Sequence, residues 1–292
     1  MKLEEVGKFG VIGAGQMGGG IAQIAAQSGY EVLLSDADMD RAEQGKNKIA
    51  KLLDRQVDKG RLERADADAA LDRITAIADV SGFADADIVV EAATENFDLK
   101  VKIFRGADEA MKPGALLASN TSSISITKLA ATTSRPSLVC GMHFMNPVPL
   151  MKLCEIVRGT QTDEETYLTV KTLAEKMGKT TITSKDRPGF LVNRVLIPLL
   201  NEACHTLQEG VGSAEDIDTG CKLGLNHPMG PLELSDLIGL DTVLAIAEVL
   251  HTEIGDPKYR PATILRNYVA AGWLGRKAGR GFYQYDERGK RV

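Results

Sequence analysis

Apolar residues in the first half of the chain fall into short runs separated by longer amphipathic stretches. Lys8–Gly13, Glu31–Ser35, Arg73–Ala78, Asp87–Glu91 and Ala115–Ser119 are compact runs of strand length. Between them, Gln16–Ser28, Ala37–Gly60 and Phe97–Met111 carry helical periodicity. The second of these is long and charged, and a polar stretch extends it to Asp72. Two more apolar runs, Leu138–His143 and Leu150–Val157, precede a helix near Asp163–Met177 and a strand near Thr180–Thr183. Strand and helix alternating in this way predict an α/β domain with a doubly wound, mostly parallel sheet.

The pattern changes at Ser184–Gly189 (SKDRPG), after which no strand pattern recurs. Helical runs cover Phe190–Gln208, Ala214–Lys222, Pro231–Asp236, Asp241–Glu253 and Ala262–Ala271, punctuated by Gly and Pro. The expected division is therefore an α/β domain over 1–186 and an all-α domain over 187–292.

Composition sharpens this picture by exclusion. The 292 residues are 43% hydrophobic and 26% charged, enough to bury a core without disulfides or a structural metal. A net charge of −5 argues against nucleic acid as a partner. No window offers about 18 uninterrupted apolar residues, so no membrane span is expected. The N-terminal MKLEEVGKFGVIG lacks the basic and apolar regions of a signal peptide. Cys140, Cys154, Cys204 and Cys221 lie far apart in apolar stretches, without metal-ligand spacing, and read as free thiols in a reducing compartment. The expectation is a cytoplasmic protein with no metal site.

The first candidate chemistry follows the first strand directly. Gly13-Ala14-Gly15-Gln16-Met17-Gly18 opens a helix. Gly13 allows the tight turn, Gly15 lets a pyrophosphate approach the backbone, and Gly18 allows close helix–strand packing. The amides at the helix N-terminus, including those of Gln16 and Met17, would face the phosphates. Asp36 closes the second strand about 20 residues on, where a carboxylate accepts the adenine-ribose hydroxyls and repels a 2′-phosphate. A lone motif of this kind is weak, but this one has the right context. The reading is a Rossmann-type domain that binds NAD in preference to NADP.

The second candidate is His143, at the end of the apolar run LVCGMH and followed by Asn146-Pro147. Ligands of open α/β sheets sit beyond the carboxyl ends of the strands, where a general base belongs. Glu155 interrupts the next apolar run, where an unpaired carboxylate is costly. A strand returning beside its predecessor could set Glu155 on the far nitrogen of His143 and so fix its tautomer. Alternatively, Glu155 pairs with Lys152 or Arg158 at the surface.

The motifs GAGQMG, EAATEN at 91–96, SNTSS at 119–123, MHFMNP at 142–147, PGFLVNR at 188–194, HPMGP at 227–231 and GRGFY at 279–283 follow in order. Together they resemble the 3-hydroxyacyl-CoA dehydrogenase family over essentially the whole chain. The resemblance implies His143 as the catalytic acid/base with Glu155 as its partner. It implies Ser122 on the substrate's C3 oxygen and Asn193 in positioning the substrate. Glu95, Lys100, Asn120, Ser122 and Asn146 would line the nicotinamide end of the cofactor, and Lys277 would reach it too. The implied substrate is a short acyl-CoA, interconverted between 3-hydroxybutyryl-CoA and acetoacetyl-CoA, and the implied assembly is a homodimer through the helical domain. Met145 stands where the family commonly has Phe, which bears on acyl fit. Lys51 and Lys59 project from the long helix as candidates for CoA phosphates, though charged helix faces are usually only solvated. Two rivals remain: a β-hydroxyacid dehydrogenase with a helix-borne lysine as base, and a non-catalytic NAD-binding protein.

Overall fold

The computed structural model describes residues 3–292 and divides into two compact units after Arg187. The first unit runs β1 (Lys8–Ile12), α1 (Gln16–Gln27), β2 (Glu31–Ser35), α2 (Met39–Asp58), α3 (Arg64–Asp72), β3 (Ile74–Ile77), β4 (Ile88–Glu91), α4 (Phe97–Ala110) and β5 (Leu116–Ser119). It continues with the short α5 (Ile126–Ala130), then β6 (Val139–Phe144), β7 (Leu153–Arg158), α6 (Glu164–Lys176) and β8 (Thr180–Lys185).

The eight strands form one sheet in the order β3-β2-β1-β4-β5-β6-β7-β8. The chain winds outward from β1 through β2 to β3, then crosses back to place β4 on the other side of β1. That reversal is where an α/β sheet opens a crevice at its carboxyl edge. The first six strands are parallel, whereas β7 pairs antiparallel with β6, and β8 parallel with β7. The central strands β4, β5 and β6 are buried along their full length, which explains their unbroken apolar runs. Phe9, Val11, Ile21, Leu34, Ile88 and Leu116 belong to the core that cements sheet to helices.

Some local expectations are revised. The charged stretch 37–72 is two helices, because Gly60 adopts a φ of +63° that ends α2 and lets the chain turn into α3. The apolar run at 150–157 yields a strand only from Leu153. Leu150 is 72% exposed and belongs to the loop after β6. Of the four cysteines, Cys140, Cys154 and Cys204 are buried, and Cys221 is half-buried.

The second unit contains α7 (Val192–Gln208), α8 (Ala214–Gly224), α9 (Pro231–Ile238), α10 (Leu240–Ile254) and α11 (Thr263–Ala270). Leu200, Leu232, Leu240, Val243, Leu250 and Leu265 are buried in its core. The irregular tail is latched by two buried aspartates. Asp236 accepts bonds from the Phe282 and Tyr283 amides and the Tyr285 hydroxyl, while Asp218 caps α9 and accepts the Tyr283 hydroxyl. No helix among the described residues is long and apolar enough to cross a membrane.

Candidate active site

The site is built along the carboxyl edge of the sheet, beginning at the turn after β1. Gly13 holds a φ of +101°, and a Cβ there would lie 2.7 Å from the Ala92 carbonyl. A Cβ at Gly18 would come within 1.7 Å of the Gly13 carbonyl, so only glycine lets α1 sit this close to the strand end. Nothing lies within 4 Å of the corresponding position at Gly15, which leaves the turn open toward a ligand. No side chain caps α1, so its first amides remain available to an anion.

Asp36 sits just beyond β2, its Oδ2 accepting the Ala14 amide at 2.6 Å and its Oδ1 the Ala37 amide at 2.7 Å. Each oxygen keeps a further lone pair for a ribose hydroxyl. Beside it the Ser35 hydroxyl is buried without a hydrogen-bond partner. Arg41 bonds locally to Asp38 and is mostly exposed. These residues fit a dinucleotide with an unphosphorylated ribose. A cavity of about 450 Å³ adjoins the turn, lined by Gly15 and Gln16, by Lys48, Lys51 and Arg55 of α2, and by Val148. Lys51 thus faces this cavity, whereas Lys59 follows the end of α2, is exposed and does not line it.

Farther along the edge, β6 and β7 pair antiparallel with His143 and Glu155 as register partners. Their side chains meet, with His143 Nδ1 3.0 Å from Glu155 Oε2. Glu155 is fully buried and the His143 side chain 8% exposed. The surface alternative for Glu155 does not hold, and Arg158 pairs instead with Glu164. A carboxylate on Nδ1 fixes the tautomer that donates there and stabilises the imidazolium. Asn120, at the end of β5, accepts the Phe144 amide and so ties the two strand ends together. Asn146 lies in the loop that follows β6.

Beyond the end of β5, Glu95 accepts the Thr121 hydroxyl, the Ser122 amide and, at 2.9 Å, the Ser122 hydroxyl. Lys100, on α4, is 1% exposed and donates at 2.6 Å to Glu91, which is itself fully buried. Glu95 lies 3.6 Å from the same ammonium. Lys100 therefore presents no surface to a ligand, which counts against it as the base. In the second unit, Asn193 is buried in the first turn of α7, and Lys277 pairs with Asp241 of α10 at 2.7 Å.

Two participants escaped the sequence reading. Glu91 ends the otherwise apolar strand IVVE, a signal of the same kind that singled out Glu155. Lys179 is buried, and its ammonium donates to the Val148 carbonyl at 2.5 Å and the Met151 carbonyl at 2.8 Å. Desolvation lowers its pKa. A lysine before a short strand carries no such signal. Among the described residues no group of His, Cys, Asp and Glu could hold a metal ion.

A doubly wound sheet with this glycine turn and a carboxylate-backed histidine at its carboxyl edge defines a dinucleotide-dependent dehydrogenase. Comparison with known proteins narrows the class. Residues 8–187 match the NAD binding domain of 3-hydroxyacyl-CoA dehydrogenase, and residues 189–285 match its C-terminal domain. A probable 3-hydroxybutyryl-CoA dehydrogenase of Bacillus subtilis is 52% identical over 284 residues, 97% of this chain and 99% of its own. The 3-hydroxybutyryl-CoA dehydrogenase of Bradyrhizobium diazoefficiens is 52% identical over 95% of both chains. The crystal structure of (S)-3-hydroxybutyryl-CoA dehydrogenase from Ralstonia eutropha superposes with a TM-score of 0.94 at 52% identity, covering 97% of this chain and all of that one. The chain belongs to the 3-hydroxyacyl-CoA dehydrogenase family and is an NAD-dependent oxidoreductase.

Proposed function

We propose that the protein interconverts 3-hydroxybutyryl-CoA and acetoacetyl-CoA, with His143 and Glu155 as its acid/base pair. The substrate is that of the relatives above, and the 3.0 Å contact between two buried partners is the observation that carries the mechanism. NAD, when bound, supplies the hydride acceptor. The protein's residues handle the proton and the geometry. His143 takes the proton of the C3 hydroxyl at Nε2, the ring nitrogen that Glu155 does not hold, and Glu155 stabilises the resulting cation. In the reverse direction the imidazolium returns that proton to the C3 oxygen.

Ser122 serves as a hydrogen-bond donor to the C3 oxygen and Asn193 positions the substrate, as in the family pattern. Glu95, Asn120 and Asn146 contribute to the nicotinamide end, Lys100 acts there through Glu95, and Lys277 is a further cofactor candidate carried over from the family pattern. The cavity cations Lys48, Lys51 and Arg55 suit the phosphates of CoA, with the exposed Lys59 as a further candidate.

A homodimer through the helical domain remains part of this reading. Leu200, Ile246 and Leu250 are spent on that domain's own core. The exposed apolar side chains that a partner copy could cover include Val195, Leu199, Val211, Leu223 and Leu225, each at least 40% exposed. The test of the activity is turnover of acetoacetyl-CoA with NADH against a panel of free 3-oxo acids. Rapid turnover of the thioester alone supports the assignment. Turnover of the free acids without the thioester would overturn it.

A further inference from the structure

The end of β4 holds a charge cluster that the acid/base mechanism does not use. Glu91 and Lys100 are fully buried opposite charges 2.6 Å apart. Such a pair is tolerated only when its remaining hydrogen-bonding capacity is met. Here Glu91 Oε1 also accepts the Ala93 amide at 2.7 Å, and Oε2 accepts the Ser119 hydroxyl at 2.6 Å. Glu95 also stands 3.6 Å from the ammonium, with a side chain 40% exposed. Its carboxylate holds the Thr121 and Ser122 hydroxyls. The three charges thus form a short row in the sense of contact only, two carboxylates sharing one ammonium. Its inner two members are sealed in the protein, and its outer member is open to a ligand.

We propose that Glu91 is a positioning residue for Glu95. By pinning Lys100 from below, it fixes both the place and the effective charge of the carboxylate at Ser122. The inference rests on the reading that Glu95 lines the nicotinamide end of the cofactor. With Glu91 neutralised, the ammonium closes on Glu95, its one remaining carboxylate in the row, and draws it away from Ser122. The row's net charge rises from −1 to zero. Oxidised nicotinamide carries a positive charge that the reduced ring lacks, so the change penalises NAD⁺ more than NADH. A residue that merely braced the fold would weaken both forms alike.

The experiment measures dissociation constants for NAD⁺ and NADH separately, without substrate, in the full-length protein. Glu91→Gln is expected to raise the ratio Kd(NAD⁺)/Kd(NADH) by about tenfold. The double variant Glu91→Gln with Lys100→Met removes both sealed charges, and with them the cation 3.6 Å from the open carboxylate of Glu95. Its ratio should fall below the wild-type value. An unmoved ratio in Glu91→Gln, or equal weakening of both forms, overturns the proposal. So does a double variant whose ratio matches or exceeds wild type, and this arm decides the matter if Glu91→Gln does not fold. Wild-type protein inactive on acetoacetyl-CoA would remove the activity reading yet leave the ratio measurable. An active wild type with an unmoved ratio would remove the role of Glu91 alone.

Discussion

His143 and Glu155 face each other as register partners of antiparallel strands, Nδ1 to Oε2 at 3.0 Å, with the carboxylate wholly buried. A hairpin is what makes this possible. Parallel neighbours of this sheet are joined through helices, whereas the β6–β7 return brings two residues 12 apart in sequence side by side at the carboxyl edge. Burial of an acid beside an imidazole is costly to the fold unless the two are bonded, so the arrangement is a built one.

Cofactor choice should depend on Asp36. Its carboxylate occupies the end of β2 and organises the glycine turn through the Ala14 amide. Asp36→Ser with Ala37→Arg is expected to narrow the preference for NADH over NADPH by about tenfold or more. It should also lower kcat/KM with NADH, since the turn loses a strut. Equal wild-type kcat/KM for the two cofactors would contradict the role given to Asp36.

Lys179 should set the wall formed by the loop at 147–151. Its ammonium satisfies two carbonyls of that loop, and Val148 lines the cavity beside the glycine turn. Lys179→Met leaves those carbonyls without their donor, at a cost of about 1–3 kcal/mol each if they stay buried. The expected outcome is a lower Tm, faster proteolysis within 147–152, and a raised KM for the acyl-CoA with a smaller change in kcat. A variant with wild-type KM and proteolysis rate would show the clamp to be idle.

Acid should loosen the first unit by releasing two carboxylates. Burial alone would raise the pKa of Asp108, but the Ser134 amide and the Arg135 guanidinium outweigh it and hold the group below its ordinary 3.8. At Asp87, too, burial pushes the pKa up, and the Lys112 ammonium with the Lys8 and Gly7 amides outweighs it and holds the group below its ordinary value. A carboxylate depressed in the folded state stabilises above its unfolded pKa, and that stability is lost as pH falls through the folded value. Asp108→Asn should therefore cost about 3 kcal/mol near neutrality, in denaturant unfolding, because it leaves the largely buried Arg135 with carbonyl partners but no counter-charge. The gap to wild type should close below about pH 4. A gap that stayed constant with pH would exclude the charge as its cause.

How much of this was legible in the chain depends on whether a residue broke a pattern. The winding of the sheet could be read because its central strands are unbroken apolar runs between amphipathic helices. Glu155 stood out because a carboxylate interrupted such a run, and Glu91 gave the same signal three strands earlier. What concealed Glu91 is that its partner lies nine residues away on the next helix, and helix faces rich in Lys usually meet only water. Lys179 was illegible because it bonds to backbone carbonyls, which no side-chain pattern announces. The break at Gly60 depended on backbone conformation. That Leu200 and Leu250 face their own unit's core depends on which helices pack together, and periodicity alone does not encode that.

The most direct test of the account is kcat for His143→Gln, Glu155→Gln and the double variant, with NADH binding as the control for folding. A general base contributes about 10²–10⁴-fold, so His143→Gln should lose at least that much while still binding NADH. Glu155→Gln keeps the shape but removes the charge that stabilises imidazolium, and should also lose kcat strongly. Groups that act as one unit have non-additive effects, so the double variant should fall little below the worse single variant. Multiplicative losses, or near-normal turnover in His143→Gln, would contradict the pair as the acid/base unit.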